Sequence, residues 1–150
     1  MFSVSNRARQ RWIAALNELN RGHGEVVDAL VGRAQFRWTT GAITVMSVVG
    51  AAMVLLFLLT QQIAIPGVVL VLVFYNSVRP PRIVGVTATE VLVAARGPWT
   101  SRPNKIIGRA PFASAGHRAE DRMLAVGDEK ITFPAKEHAR LEALVRGSAA

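Results

Sequence analysis

Between Arg37 and Arg79 the chain runs from Trp38 to Val78 without an Asp, Glu, Lys, Arg or His, and its apolar residues leave no polar face at helical spacing. As one helix this run would reach about 60 Å, roughly twice the hydrocarbon thickness of a bilayer. It must therefore fold back. The polar cluster Thr60-Gln61-Gln62 marks the break, and Pro66-Gly67 follows where the first turn of a helix tolerates proline. The pattern predicts one helix from about Gly41 to Leu59 and a second from about Ile63 to Val78, each about 24–29 Å long and able to cross a slightly thinned bilayer. The alternative is a buried helical pair in a soluble protein, but so small a chain cannot surround two helices that are apolar on every side. Ser47, Gly50 and Ala51 form a small-residue patch on the first helix, a face suited to meeting the second helix or another subunit.

Before this run, Trp12, Ile13, Leu16 and Leu19 share one helical face and follow Arg7, Arg9 and Arg11. Gly22-His23-Gly24 breaks that helix, and a second short pattern, Val26, Val27, Leu30 and Val31, leads into Arg33. Residues 1–37 thus read as an amphipathic helical arm. Such an arm either lies on an anionic leaflet with its arginines at headgroup level, or packs its stripe on the C-terminal domain or a partner.

After Pro81 the period shortens. Ile83-Val84-Gly85-Val86 and Val91-Leu92-Val93 are β-rich runs joined by Thr87-Ala88-Thr89-Glu90, which reads as a hairpin. Ile106 and Ile107 mark another strand, and Met123-Leu124-Ala125-Val126 and Ile131-Thr132-Phe133 flank the turn signal Gly127-Asp128-Glu129-Lys130. Pro134 opens a final helix with an apolar stripe of Leu141, Leu144 and Val145, a Glu142–Arg146 pair and Gly147 as its stop.

Strands followed by one amphipathic helix give the order of a pleckstrin-homology (PH)-like barrel capped by its last helix. Val84-Gly85-Val86-Thr87 and then Glu90-Val91-Leu92-Val93-Ala94-Ala95-Arg96-Gly97 resemble the hairpin motif of bacterial PH-like domain membrane proteins, in which a transmembrane hairpin often precedes the sheet. The likeness covers roughly residues 63–146. Two features depart from it: Ala88-Thr89-Glu90 stands where the family usually has Asp-Arg-Arg, and the pattern yields five or six strands where a full PH barrel has seven, so the barrel is either incomplete or borrows an edge from the N-terminal arm or a partner. The expected architecture is α+β, with a cytoplasmic arm (1–37), a two-helix transmembrane hairpin (38–79) and a PH-like β-barrel or sheet with a C-terminal helix (80–150).

Charge sharpens this picture. Hydrophobic residues make up 51% of the 150 residues, yet the formal charge is +8, and the mean hydropathy is +0.28. Segregated apolar and basic stretches suit a membrane protein better than a nucleic-acid binder. Arg33 and Arg37 precede the first apolar helix, Arg79 and Arg82 follow the second, and the outer turn is uncharged, so the positive-inside rule puts both termini in the cytoplasm. Trp38 and Tyr75 then fall near the inner interface, where Arg7, Arg9, Arg11, Trp12, Arg37 and Arg79 are also expected. No apolar stretch follows the first basic residues as a secretory signal would, so the membrane segments must target themselves. Richness in Ala, Val and Arg points to a high-GC bacterium and its plasma membrane, with a multi-pass arrangement.

Candidate chemistry is sparse. Without cysteine there is no disulfide, thiolate nucleophile or Cys-ligated metal. His23, His117 and His138 are far apart in sequence, and no pair has a metal-ligand spacing, so no metal or other cofactor is expected. Ser114, His117 and Asp121 supply the residue types of a hydrolytic triad, but they crowd into one Gly/Ala-rich loop that offers a nucleophile little rigid support. Glu120-Asp121 and Asp128-Glu129 read as solvated turns, and no ionisable residue within the apolar run can carry a proton or ion. Arg96, Arg102, Lys105 and Arg109 surround Gly97-Pro98-Trp99. In a PH-like domain such residues hold anionic headgroups while Trp99 inserts at the interface. Alternatively, they are a basic surface beside an anionic leaflet and Trp99 packs on the barrel. The expectation is a non-catalytic accessory or scaffold subunit that contacts a membrane protein or a second copy of itself, with an anionic-lipid-binding module as the alternative.

Overall fold

The computed structural model describes residues 5–61, 64–96, 101–112 and 114–148. The fold is α+β. Its elements run α1 (Asn6–Leu19), β1 (Asp28–Ala34), α2 (Thr40–Thr60), α3 (Ala64–Val78), β2 (Pro81–Val86), β3 (Glu90–Arg96), β4 (Pro103–Pro111), β5 (Gly116–Arg118), β6 (Met123–Val126), β7 (Glu129–Thr132) and α4 (Ala135–Ser148). They form two compact units, residues 1–34 with 81–150, and residues 35–80.

The first unit is one antiparallel sheet in the order β4-β3-β2-β1-β7-β6-β5. Its middle strand comes from the N-terminal arm. β1 pairs with β2 from Asp28↔Val86 to Arg33↔Pro81, and with β7 at Arg33↔Thr132 and Ala34↔Ile131. The expectation of a separate helical arm over residues 1–37 is thus corrected after Gly24. Val26, Val27, Leu30 and Val31 fit a helical stripe, but consecutive positions Asp28, Ala29 and Leu30 are all buried, and pairing on both sides outweighs the local period. β1 and the three-residue β5 bring the strands to seven, where the sequence pattern yields five or six.

The runs in β2 and β3 are continuously apolar because both faces are covered. On one face Leu30, Val84, Val86, Val91, Val93, Leu124 and Ile131 form a core with Leu141 of α4. On the other, Ala29, Ile83, Leu92 and Ala94 pack against Trp12 and Leu16 of α1. Gly85 permits that second layer: a Cβ there would lie 2.5 Å from Leu92 Cδ1 and 3.0 Å from Leu16 Cδ1. Thr87 shapes the β2–β3 turn, its hydroxyl donating to Glu90 O at 3.0 Å and accepting from Glu90 N at 3.0 Å. The β6–β7 turn uses Gly127 at φ 59°, a left-handed conformation that glycine adopts without strain.

In the second unit, α2 begins at the N-cap Thr39, whose hydroxyl accepts from Ala42 N, and ends at Gln61, a left-handed cap whose N–H donates to Phe57 O at 2.7 Å. Both boundaries fall within a residue or two of the sequence expectation. The two helices differ in reach, however. Among the described residues α2, with 21 residues and about 32 Å, is the helix long and apolar enough to cross a bilayer, and almost none of it is buried. α3 has 15 residues, about 22 Å, close to the expected bounds but too short to count with α2 as a membrane span by length and composition. The two helices lie against each other, but not through the small-residue patch. A Cβ on Gly50 would meet nothing within 4 Å, Ala51 is exposed, and Ser47 donates to Ile43 O of its own helix.

Candidate functional site

Three clusters of functional groups stand out, all in the sheet unit. The first is a buried set of charges joining α1, β1 and α4. Arg9 Nη2 donates to Glu137 Oε1 at 2.7 Å and Arg9 Nε lies 3.8 Å from Asp28 Oδ1, while Arg140 Nε donates to Asp28 Oδ2. The carboxylates also accept from backbone, Asp28 from Ala29 N at 2.8 Å and Glu137 from Val31 N at 3.4 Å. Arg9, Asp28 and Glu137 are each at least nine-tenths buried. Arg9 is therefore not a headgroup-level residue, and neither is Trp12, which is 7% exposed and packs on β2 and β3. Of the two readings of the first helix, packing on the C-terminal domain is the one found. Its solvent side keeps Arg7 and Arg11 exposed.

The second cluster lies beside Trp12. Its indole N–H donates to Ser101 O at 2.6 Å, pinning the end of the β3–β4 connection to α1. An open groove of about 450 Å³ is lined there by Ala8, Arg11, Trp12, Ala14, Ser101 and Arg102. Arg11 and Arg102, far apart in sequence, thus meet at one concave surface. The other basic candidates do not join them in that lining. Arg96 ends β3 opposite Pro103, and Trp99 lies outside the described residues. A register shift between Val93 and Ala94 leaves Arg109 opposite Leu92, on the face that α1 covers, and Lys105 opposite Ala95, on the other. Arg109 also faces Glu90 at 3.8 Å.

The third cluster is on β5 and α4. His117 Nε2 and His138 Nε2 are 2.9 Å apart, with ring planes inclined by 18° and ring centres 5.0 Å apart. The nitrogens are much closer than the ring centres, so the imidazoles meet nitrogen to nitrogen. Glu142, one turn beyond His138, completes the group, and one ligand atom from each residue lies within 4.8 Å of the others. His138 is buried, while His117 and Glu142 are half-buried. Burial and the neighbouring His138 lower the His117 pKa below the ordinary imidazole value, partly opposed by the Glu142 carboxylate, so its neutral ring is favoured. The triad types are not assembled: Ser114 Oγ donates to Pro111 O, and Asp121 lies 4.0 Å from Arg118.

No family model, curated protein or solved structure matches the chain significantly. Function must be read from these residues. No two histidines have a metal-ligand spacing along the chain, but spacing is not distance in the fold: β5 brings His117 against His138 of α4 from 21 positions away. The legible half of the signal was His138 and Glu142, four apart on a predicted helix. In the helical unit, Trp38 and Tyr75 are exposed, Arg37 N donates to Val78 O at 3.1 Å, and Arg79 is half-buried. Trp38 sits in an aromatic group that sequence reading named only in part, 5.7 Å from both Phe36 and Phe74.

Proposed function

We propose that the chain is a non-catalytic membrane-anchored module: α2 and α3 cross the bacterial plasma membrane as a hairpin, and the sheet unit is a PH-like domain on the cytoplasmic side that contacts another membrane protein. One observation carries the reading. The helical unit is inserted between two paired strands, leaving the sheet after Ala34 and returning at Pro81, and Arg33 is the register partner of Pro81. If α2 crosses a bilayer, the chain must cross back to complete that pairing, so α3 is the return crossing despite its length. A span of about 22 Å is accommodated by local thinning and by anchoring side chains at its ends. Trp38 with Phe36 and Phe74, next to Arg37 and Arg79, supplies an aromatic and basic girdle for the inner interface. Seven antiparallel strands with a closing C-terminal helix agree with the strand count of a full PH barrel.

The absence of cysteine makes the topology directly measurable. Single cysteines at Gln61 and Lys136 are to be labelled with a membrane-impermeant maleimide in spheroplasts. The expected outcome is that Gln61→Cys reacts in intact spheroplasts and Lys136→Cys only after permeabilisation. Reaction of both before permeabilisation, or release of the protein by alkaline carbonate, overturns the reading.

The groove between Arg11 and Arg102 favours a second reading, capture of an anionic lipid headgroup at the membrane surface. In neutral detergent the full chain is expected to bind a short-chain phosphatidylglycerol more tightly than the matching phosphatidylcholine, with the difference lost in Arg11→Ala/Arg102→Ala. Equal affinity for both lipids removes this reading and leaves the anchored module standing.

A further inference from the structure

We propose that His117, His138 and Glu142 form a binding site for a first-row divalent metal ion, Zn²⁺ above all, that ties the edge strand β5 to the closing helix α4. The donor set is two imidazoles and a carboxylate, a combination that suits zinc and leaves a fourth position for water. Its geometry is nearly in place. Tetrahedral ligands at about 2.0–2.1 Å from zinc lie about 3.3 Å from one another, so the two Nε2 atoms, now 2.9 Å apart, need only small separation. The carboxylate is already within 4.8 Å of both and reaches inward by side-chain rotation.

Without an ion this arrangement is an awkward one. Between neutral rings the Nε2···Nε2 contact is satisfied only if one ring is the Nε2–H tautomer and the other is not. A metal accepts both lone pairs, the donor ring carrying its proton on Nδ1 instead. Both histidines sit on ordered backbone. His117 is held in β5 opposite Leu124 of β6, and His138 is buried on α4 with its backbone N–H donating to Pro134 O at 2.9 Å. The half-buried faces of His117 and Glu142 give an ion a way in. β5 is an edge strand of three residues, paired among the described strands with β6, so it is the element that gains most from a second attachment. The site does not depend on whether the helical unit crosses a membrane.

The test uses the full chain purified in mild detergent without a polyhistidine tag and stripped with EDTA. Calorimetric titration with Zn²⁺ is expected to give one ion per chain, and Co²⁺ to give the visible absorption of a four- or five-coordinate site. Zn²⁺ is expected to raise the melting temperature. His117→Asn, His138→Gln and Glu142→Gln should each weaken binding by at least about tenfold and abolish the thermal shift, whereas His23→Ala should change neither. Far-ultraviolet circular dichroism of the stripped variants separates loss of a ligand from loss of the fold. No binding by the parent chain overturns the proposal, and so does undiminished binding by folded His117→Asn. Loss with the histidine variants but not with Glu142→Gln overturns the three-ligand assignment.

Discussion

Val84 and Val54 both stand in uninterrupted apolar runs, yet Val84 is fully buried between β1 and β3 while Val54 is 60% exposed on α2. The same contrast separates the two units throughout. In the sheet unit each apolar run has a cover, with α4 on one face and α1 on the other. In the helical unit Val48, Leu58 and Leu59 are two-thirds exposed or nearly so, although α2 and α3 lie against each other. Charge is distributed in the opposite sense. The sheet unit buries Arg9, Asp28 and Glu137, and the helices carry no ionisable side chain except at Tyr75. The first unit is organised by what it excludes from water. The second is apolar enough to do without water altogether, which is the physical basis of the proposed anchoring.

The largest expected effect comes from the buried charges, which tie α1, β1 and α4 together. Arg9→Ala removes the cation between Glu137 and Asp28; Arg140 still serves Asp28, while Glu137 loses its paired guanidinium and retains the long contact with Val31 N. Removing one partner of a buried pair costs about 3–5 kcal/mol. Arg9→Ala should therefore lower the unfolding free energy of the sheet unit by about that much in urea titrations followed by circular dichroism. Arg9→Met combined with Glu137→Leu should recover most of the loss, since no charge is then left unpaired. A cost below about 1 kcal/mol for the single variant would mean that the cluster is solvated and that charge does not set the two units apart.

One substitution made in both units sharpens the comparison. Leu16 is fully buried against Ile83 and Leu92, whereas Leu55 is 60% exposed on α2. Leu16→Ala should cost the sheet unit about 2–5 kcal/mol through lost contacts and the cavity left behind. Leu55→Ala should change the same unfolding transition by less than about 0.5 kcal/mol, because in detergent that side chain has the same surroundings before and after the sheet melts. Equal effects would show the two units unfolding as one.

The first apolar helix and its end were legible because the polar cluster beginning at Thr60 interrupts an otherwise apolar run, and α2 closes at Thr60 with Gln61 as its cap. β2, β3, β6, β7 and α4 were legible for a related reason, their runs being bounded by Thr87, Gly127 and Pro134. β1 was not. Its apolar positions satisfy a helical spacing as well as a strand, and only the partners β2 and β7, contributed from beyond the helical unit, decide between them. Continuous rather than alternating apolar residues in β2 and β3 were a sequence sign that a second cover existed, and the structure buries both runs without alternation. Arg9 and Trp12 were misjudged as interfacial for the same reason, since an amphipathic stripe does not name what it packs on. The histidine cluster was legible only in its His138–Glu142 half, because no local pattern brings His117 to α4.

Removing the helical unit altogether is the most direct trial of the comparison, and little change is expected from it. Arg33 and Pro81 are register partners at the mouth of the helical unit, so residues 35–80 can be replaced by a four- or five-residue Gly/Ser loop closing β1 onto β2 as an ordinary hairpin. Both core layers, the Arg9 cluster and the histidine pair belong to residues outside that segment. The shortened chain should therefore stay in solution without detergent. Its unfolding free energy should match that of the sheet unit in the full chain within about 1–2 kcal/mol, the scale of a changed loop-closure entropy. A soluble but non-cooperative product would mean that the helices help to order the sheet, and the division into a self-sufficient domain and an anchor would have to be abandoned.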